Sequence, residues 1–362
     1  MLTKGDEYPI HQTPEPIAYA GTDRNFYDRY FFNGYKADGS DFFAIAFGVY
    51  PHLNTADAHI SVVRGGTQHC LHASRLLGME RMDLQVGPIA IEIVEPLRSL
   101  RIIVAAHQGI AADLTFTGRA FPVEEPRFTR RIGPRTFMDY TRMTQNGHWQ
   151  GWIEVDGVRH DMSGAVGTRD RSWGVRPIGM SDPQPTVPPA LPQFFWAWSP
   201  VNFESGSLFF HNNADAQGAP WNTRAVWSPD GAAHGDMVET SDCAMAITLA
   251  PRWRHASSAV LDIGGAHPMR ATFTPIATFL MRGIGYGHPD WTHGGWKGEL
   301  AVAREDIDLS AITPGRADHL HIQAVSAVTL ERGGQTEQGI GILEQLIIGP
   351  YAPLGLTSLF DA

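Results

Sequence analysis

The most constraining feature of this chain is that its apolar residues do not follow the 3.6-residue period of an amphipathic helix. They recur in short runs rich in Val, Ile, Phe, Thr and Trp, broken by Gly, Asp, Asn and Pro roughly every 8 to 15 residues. Asp41 to Tyr50, His59 to Arg64, Leu100 to Ala106, Phe194 to Ser199 and Gly339 to Ile348 read as strands. With 38 glycines and 25 prolines to supply reversals, the expected fold class is all-β, a sandwich or barrel pair. Asp156-Gly157, between Gly151 to Val155 and Val158 to Met162, has the chemistry of a two-residue type I′ hairpin turn.

A chain of 362 residues exceeds what one core usually holds, so two domains are expected. The clearest punctuation is the stretch 183–192, with five prolines in ten residues, which cannot continue a strand ladder. It divides the chain into an N-terminal β domain (1–182), a Pro-rich linker or stiff loop (183–192) and a C-terminal β domain (193–362). Hydrophobic residues make up 43% and charged residues 18%, which suits much buried sheet and an apolar cavity. A formal charge of −10 without a Lys/Arg stripe argues against a nucleic-acid partner. Cys70 and Cys243 stand far apart and indicate neither a disulfide scaffold nor a cysteine zinc site. The N-terminus carries acid and proline in place of an apolar leader, and no run approaches the length of a membrane span. The expectation is a cytoplasmic protein.

Three constellations carry chemistry. The run Gly167 to Arg176 packs Asp170, three arginines (Arg169, Arg171, Arg176) and Trp173 between glycines. Either it is a buried structural ion-pair knot with Trp173 as a core plug, or Trp173 floors a pocket and Asp170 or an arginine faces a substrate. The run Tyr286 to Gly298 sets His288, His293, Asp290 and Trp291 among glycines, material for a general acid or base beside an aromatic wall. Its bland alternative is a loop whose histidines cap carbonyls; as a metal site it would need a third ligand from elsewhere. In Gln193 to Phe203, alternation puts Trp196 and Trp198 on one strand face, as core or as cavity lining. Glu344 is an acid in an apolar strand, with a raised pKa unless an Arg or His meets it; an arginine of the first run is a candidate partner. Tyr30 and Tyr140 could supply phenolic donors. No GxSxG elbow, Walker loop or strand-linked GxGxxG is present.

These residues carry a family resemblance. Gly167 to Arg176, His288 to Gly294 and Gly341 to Glu344 resemble the signatures of the lipocalin-like superfamily that groups carotenoid 1,2-hydratases, AttH-type proteins, tocopherol cyclases and Diels–Alderases, with the nearest likeness to an uncharacterised bacterial branch. The resemblance implies two lipocalin-like antiparallel β-barrel or sandwich domains packed together, with a ligand cavity within or between them. It also implies cofactor-independent chemistry on greasy substrates. Arg171 stands where several relatives have His after the acid, so no proton-transfer role carries over to it. The expected function is a lyase, hydratase or isomerase acting on a hydrophobic or aromatic small molecule, with His288, His293, Asp170 and Glu344 as catalytic candidates. Arg171, Trp173, Arg176, Trp196, Trp198, Trp291, Tyr30 and Tyr140 are the candidates for substrate binding. No cofactor and no metal are expected, and a homodimer is the candidate assembly. The competing expectation is a lipocalin-like carrier without chemistry.

Overall fold

Residues 2–11, 23–182 and 192–360 are described by the structure, a computed structural model. Of the Pro-rich stretch, all but Pro192 lies outside the described residues. Among them no segment is α-helical, and no helix is long and apolar enough to cross a membrane.

The chain forms two compact units. The first comprises Met1–Lys36, Asp41–Thr186 and Gly283–Leu309; the second comprises Ala37–Ser40, Val187–Arg282 and Ser310–Ala362. This departs from the division expected from the prolines at one functionally important place. Residues 283–309, far beyond the Pro-rich stretch, belong to the first unit because their strand completes its sheet.

The first unit contains β1 (Phe26–Tyr35), β2 (Phe42–Tyr50), β3 (Thr55–Arg64), β4 (Thr67–Leu76), β5 (Gln85–Val86), β6 (Ile89–Glu95) and β7 (Ser99–His107). It continues with β8 (Ile110–Gly118), β9 (Val123–Glu124), β10 (Phe128–Ile132), β11 (Arg135–Val155), β12 (Val158–Asp161) and β13 (Val166–Val175). The second holds β14 (Phe194–Phe203), β15 (Gly206–Ala214), β16 (Pro220–Ser228), β17 (Val238–Thr240), β18 (Cys243–Leu249), β19 (Ala256–Ile263) and β20 (Met269–Leu280). Then β21 (Leu300–Asp308) returns to the first unit, and β22 (Ile322–Arg332) and β23 (Gln335–Ile348) complete the second. All recorded pairings are antiparallel. The first sheet runs β21-β4-β3-β2-β1-β13-β11-β8-β7-β6-β5, a nearly closed barrel; the second runs β17-β16-β15-β14-β23-β22-β20-β19-β18, a half-barrel. The fold is therefore the expected all-β pair of lipocalin-like units.

Period-two alternation explains the first barrel's core. Tyr30, Phe32, Phe43, Ile45, Ile60, Leu71, Leu114, Phe116 and Trp149, from six strands, converge in one buried cluster. Trp149 is fully buried among Phe32, Phe43 and Phe116, and its Nε1 donates to the Asn33 carbonyl at 2.9 Å. At the seam between the two ends of the sheet, Arg304 of β21 donates to the Gln108 carbonyl and to both Asp156 oxygens at 2.6–2.8 Å. Asp156 and Gly157 both have positive φ and join β11 to β12, as the turn chemistry required. Truncating Trp149 to Ala should destabilise the first unit by about 3–5 kcal/mol, read as a lowered urea midpoint by tryptophan fluorescence and circular dichroism.

Candidate functional site

Strand geometry splits the arginine-rich run into two faces. Along β13, Arg169, Arg171 and Trp173 point into the barrel, and Asp170 and Ser172 point out. Inside, Arg171 pairs with Asp28 and donates to the Tyr8 carbonyl at 2.9 Å, while its guanidinium lies 3.9 Å from the Tyr30 ring centroid. Arg169 reaches Glu7 at 2.6 Å and Gln145 at 2.7 Å, and the Tyr30 hydroxyl donates to the Glu7 carbonyl. His11 meets Asp28 at 2.7 Å and stacks on Trp173 with ring centroids 3.8 Å apart. Burial works to raise the Asp28 pKa, but Arg171 and His11 outweigh it and hold the carboxyl below its usual range. The expectation that Asp170 finds its partner among the arginines of its own run, with Arg171 orienting it, is therefore corrected for Arg169 and Arg171: adjacent strand residues face opposite ways. Asp170 instead lies 4.0 Å from Arg142 of β11.

The outward face is continuous across the sheet. Register places Asp170 beside Phe31, Arg29 beside Gly48, Gly48 beside Asp57, His59 beside His72, and Cys70 beside Glu305. The segment between β20 and β21, which carries Tyr286, His288, Trp291 and His293, lies against this face. The Gly294 amide, at φ 71°, donates to Asp57 Oδ2 at 2.8 Å, and the Ser61 and Ser74 hydroxyls donate to the carbonyls of Gly283 and Gly295 at 2.7 and 3.1 Å. A side chain at Gly48 would put its Cβ 2.3 Å from the Tyr50 hydroxyl, which donates to Asp57 Oδ1 at 3.2 Å.

Four histidines gather here. His59 Nδ1 and His72 Nδ1 are 2.8 Å apart, so one donates and the other accepts. At the outer ends of this pair, His59 Nε2 lies 3.7 Å from Asp57 and His72 Nε2 lies 3.7 Å from Glu305. His288 Nδ1 accepts the amides of Asp290 and Trp291 at 2.9 and 2.8 Å, which leaves its proton on Nε2, 2.9 Å from Glu305. Trp291 stacks on His72, and His293 meets His59 and Tyr286 edge-on at 6.0 and 4.5 Å. Burial holds the His72 imidazole down to about 4, although Glu305 pulls the other way. At neutral pH His72 is an uncharged base.

Next to the histidines is a layer of tyrosines and arginines. Arg29 lies 4.6 Å and Arg176 5.6 Å from the Tyr286 ring centroid, and Arg176 also lies 4.4 Å from the Tyr27 ring. Tyr140 stacks on Phe128 at 4.5 Å. Burial raises the pKa values of Tyr27, Tyr50 and Tyr140, so all three are neutral hydrogen-bonding groups.

Trp196, Trp198 and Glu344 belong to the second unit. Trp196 Nε1 and His321 Nε2 donate to Glu344 Oε1 at 2.8 Å, and Gln323 donates to Oε2 at 2.6 Å. Burial favours the neutral acid, but these donors outweigh it and hold the Glu344 pKa below its usual value. The expectation of an arginine partner from the first run is thus corrected to His321, and Glu344 is an ionised acceptor. Trp198 packs edge-on to Phe209. An open cleft of about 710 Å3 in this unit, lined in part by Asp242, Asp262, Arg270 and Glu331, contains none of the expected site residues.

The structure thus brings His288, His293 and Trp291 onto the sheet face that carries Asp170, and puts Arg171, Trp173 and Tyr30 on the opposite side of that sheet. Sequence reasoning missed Asp57, His59, His72 and Glu305. A readable signal existed for the two histidines. Gly65-Gly66, both with positive φ, form a two-residue hairpin loop that fixes the β3–β4 register, from which the His59–His72 pairing follows. Two triads also have metal-ligand composition: Asp57, His59 and His293, and Cys70, His72 and Glu305, each with donor atoms within 4.8 Å of one another. However, His59 and His72 direct one nitrogen of each ring at the other, and both Asp57 oxygens accept protein donors.

The fold and this buried polar face define a lipocalin-like β protein with an acid–base cluster on one sheet. The chain belongs to a family of unknown function, DUF8625, whose model matches residues 2–357. Its structure is similar to that of an AttH-like protein from Nitrosomonas europaea, with 13% identity over 88% of this chain and 92% of that one and a TM-score of 0.52. It is also similar to CghA solved with Sch210972, with 11% identity over 94% and 97% and a TM-score of 0.54. A looser likeness, at 10% identity over 88% of both chains and a TM-score of 0.47, is to kievitone hydratase from Nectria haematococca. No curated protein matches the chain. The first two likenesses show a shared lipocalin-like fold.

Two measurements test this electrostatic picture. A depressed imidazole pKa means that the unfolded chain binds the extra proton first. Stability should therefore be complete above about pH 6.5 and fall as pH drops toward 4, by on the order of 3 kcal/mol from His72 alone. Calorimetry should show that His72→Gln flattens this slope. Elemental analysis of purified protein should find no stoichiometric divalent ion, and EDTA should leave the melting temperature unchanged; a bound ion would assign the triads to a metal.

Proposed function

We propose that this protein is a cofactor-independent lyase, hydratase or isomerase that moves protons on an apolar or aromatic small molecule. The observation that carries this reading is the line Asp57, His59, His72, Glu305 and His288, in which a pair of imidazoles lies between two carboxylates and a third imidazole follows, with successive groups 2.8–3.7 Å apart. Addition of water, its elimination and double-bond migration all need one group that gives a proton and another that takes one. Neutral His72 supplies a base. Glu305, partly exposed, supplies the contact with solvent through which protons are replaced. His293, between His59 and Tyr286, is the imidazole that meets the substrate, and His288 completes the relay. Trp291 and Tyr286 form aromatic walls, and Asp170, beside Arg142, is a fixed charge on the same face.

The superfamily supports this reading, since the hydratases, cyclases and Diels–Alderases within it work without redox cofactors. CghA, of the same fold, was solved with a small molecule, Sch210972. A carrier would need only an apolar lining, whereas this face concentrates titratable groups. The test is turnover of a small-molecule library, followed by chromatography, with folded His293→Ala and His72→Gln. Each should lower kcat by about 10²–10⁴. Unchanged turnover in both variants would sink the proposal, and tight binding of apolar ligands without conversion would establish the carrier.

A further inference from the structure

Arg29 is a charged side chain on this face that the proton relay does not use. It is 1% exposed, and its Nε and Nη1 have no hydrogen-bond partner. Its recorded side-chain hydrogen bond runs from Nη2 to the Ile284 carbonyl at 3.2 Å, and its guanidinium lies over the Tyr286 ring. Arg176 approaches the same ring, donates to the Pro177 carbonyl at 3.2 Å and leaves its own Nε unpartnered. Among the described residues neither arginine has an ion-pair partner. The carboxylates nearby are engaged elsewhere: Asp57 accepts from Tyr50 and Gly294, and Asp170 faces Arg142.

A guanidinium is a permanent cation, and burying one without an anion is costly. Arg29 contrasts with Arg171 and Arg169, equally buried in the same unit, each of which has its own carboxylate. Two cations brought to one phenol ring repel each other unless an anion joins them. Nη2 keeps a second N–H beside its bond to Ile284, and together with the unpartnered Nε or Nη1 on the same edge it can hold a carboxylate in two parallel hydrogen bonds.

We infer that Arg29, with Arg176, binds the carboxylate of an anionic small-molecule substrate. Tyr286 gives the placement. One contact of its ring is the Arg29 guanidinium and another is His293, edge-on at 4.5 Å. A carboxylate on Arg29 therefore directs the rest of the molecule along Tyr286 to His293. The substrate class is a carboxylic acid with an apolar or aromatic body, its reacting carbons one ring's width from the acid group. This rests on the acid–base reading of the same face and narrows it.

The experiment is calorimetric titration of the full chain with benzoate, phenylacetate and 3-phenylpropanoate, each against its uncharged amide. At least one acid should bind ten-fold or more tightly than its amide, and Arg29→Met should abolish that preference. The same substitution removes an unpaired buried charge, so it should raise the melting temperature by several degrees in the absence of ligand. The inference is overturned if no acid binds, if acid and amide bind alike, or if Arg29→Met melts lower or fails to fold, which would make Arg29 structural. His293→Ala should keep the acid preference. Lost preference in Arg29→Met with unchanged turnover in the histidine variants would refute the acid–base reading and leave the anion site standing; impaired turnover without acid preference would do the reverse.

Discussion

The pairing of β21 with β4 is the interaction on which the site depends. Those strands run antiparallel from Leu300 against Arg75 to Asp308 against Thr67, across more than 220 residues of intervening chain. Forming it carries the loss of chain entropy that any distant closure demands, and the ladder, the Arg304 seam and Glu305 are what that closure gains. It also draws the preceding segment across the outer face of β3 and β4. Without it, His59 and His72 would be polar groups on an open sheet. With it, Trp291 covers His72, His293 meets His59, and His288 reaches Glu305.

The fold class was legible because period-two alternation and turn chemistry are local. The Asp156-Gly157 hairpin is a clear instance: two positive-φ residues between strands whose patterns already alternate. The return of β21 was not legible, since nothing in Leu300 to Asp308 names β4 as its partner. The histidine segment could be recognised as chemically dense, but its partners lay on a hairpin far upstream. In Gly167 to Arg176 the error had a different origin. Adjacent charges read as one cluster in a linear sequence, yet a strand sends neighbours to opposite faces, so Asp170 and Arg171 never share an environment.

Comparison of the two sides of β13 also separates structural from functional charge. Inside the barrel each arginine finds an acid: Arg171 has Asp28 and Arg169 has Glu7. These pairs tie the N-terminal segment to the barrel wall, with His11 stacked on Trp173. Outside, Arg142 has Asp170 beside it, whereas Arg29 and Arg176 face phenol rings in place of carboxylates. Glu344 in the second unit repeats the inner pattern, an acid saturated by His321, Gln323 and Trp196. Saturated groups hold a fold together, whereas unsaturated ones are available to a ligand.

The contact between His59 and His72 has one more consequence, which concerns counting. With the two Nδ1 atoms facing each other, a neutral pair shares one proton between them and keeps one more on an outer Nε2. The ring that donates inward turns a lone pair outward, and the ring that accepts inward turns an N–H outward. Asp57 stands near one end and Glu305 near the other, each 3.7 Å from the outer nitrogen. Moving the central proton to the other ring keeps both rings neutral only if the outer proton leaves one Nε2 and another is added to the opposite Nε2. The pair therefore has two tautomeric arrangements of the same atoms, and passing between them needs a proton taken up at one end and released at the other.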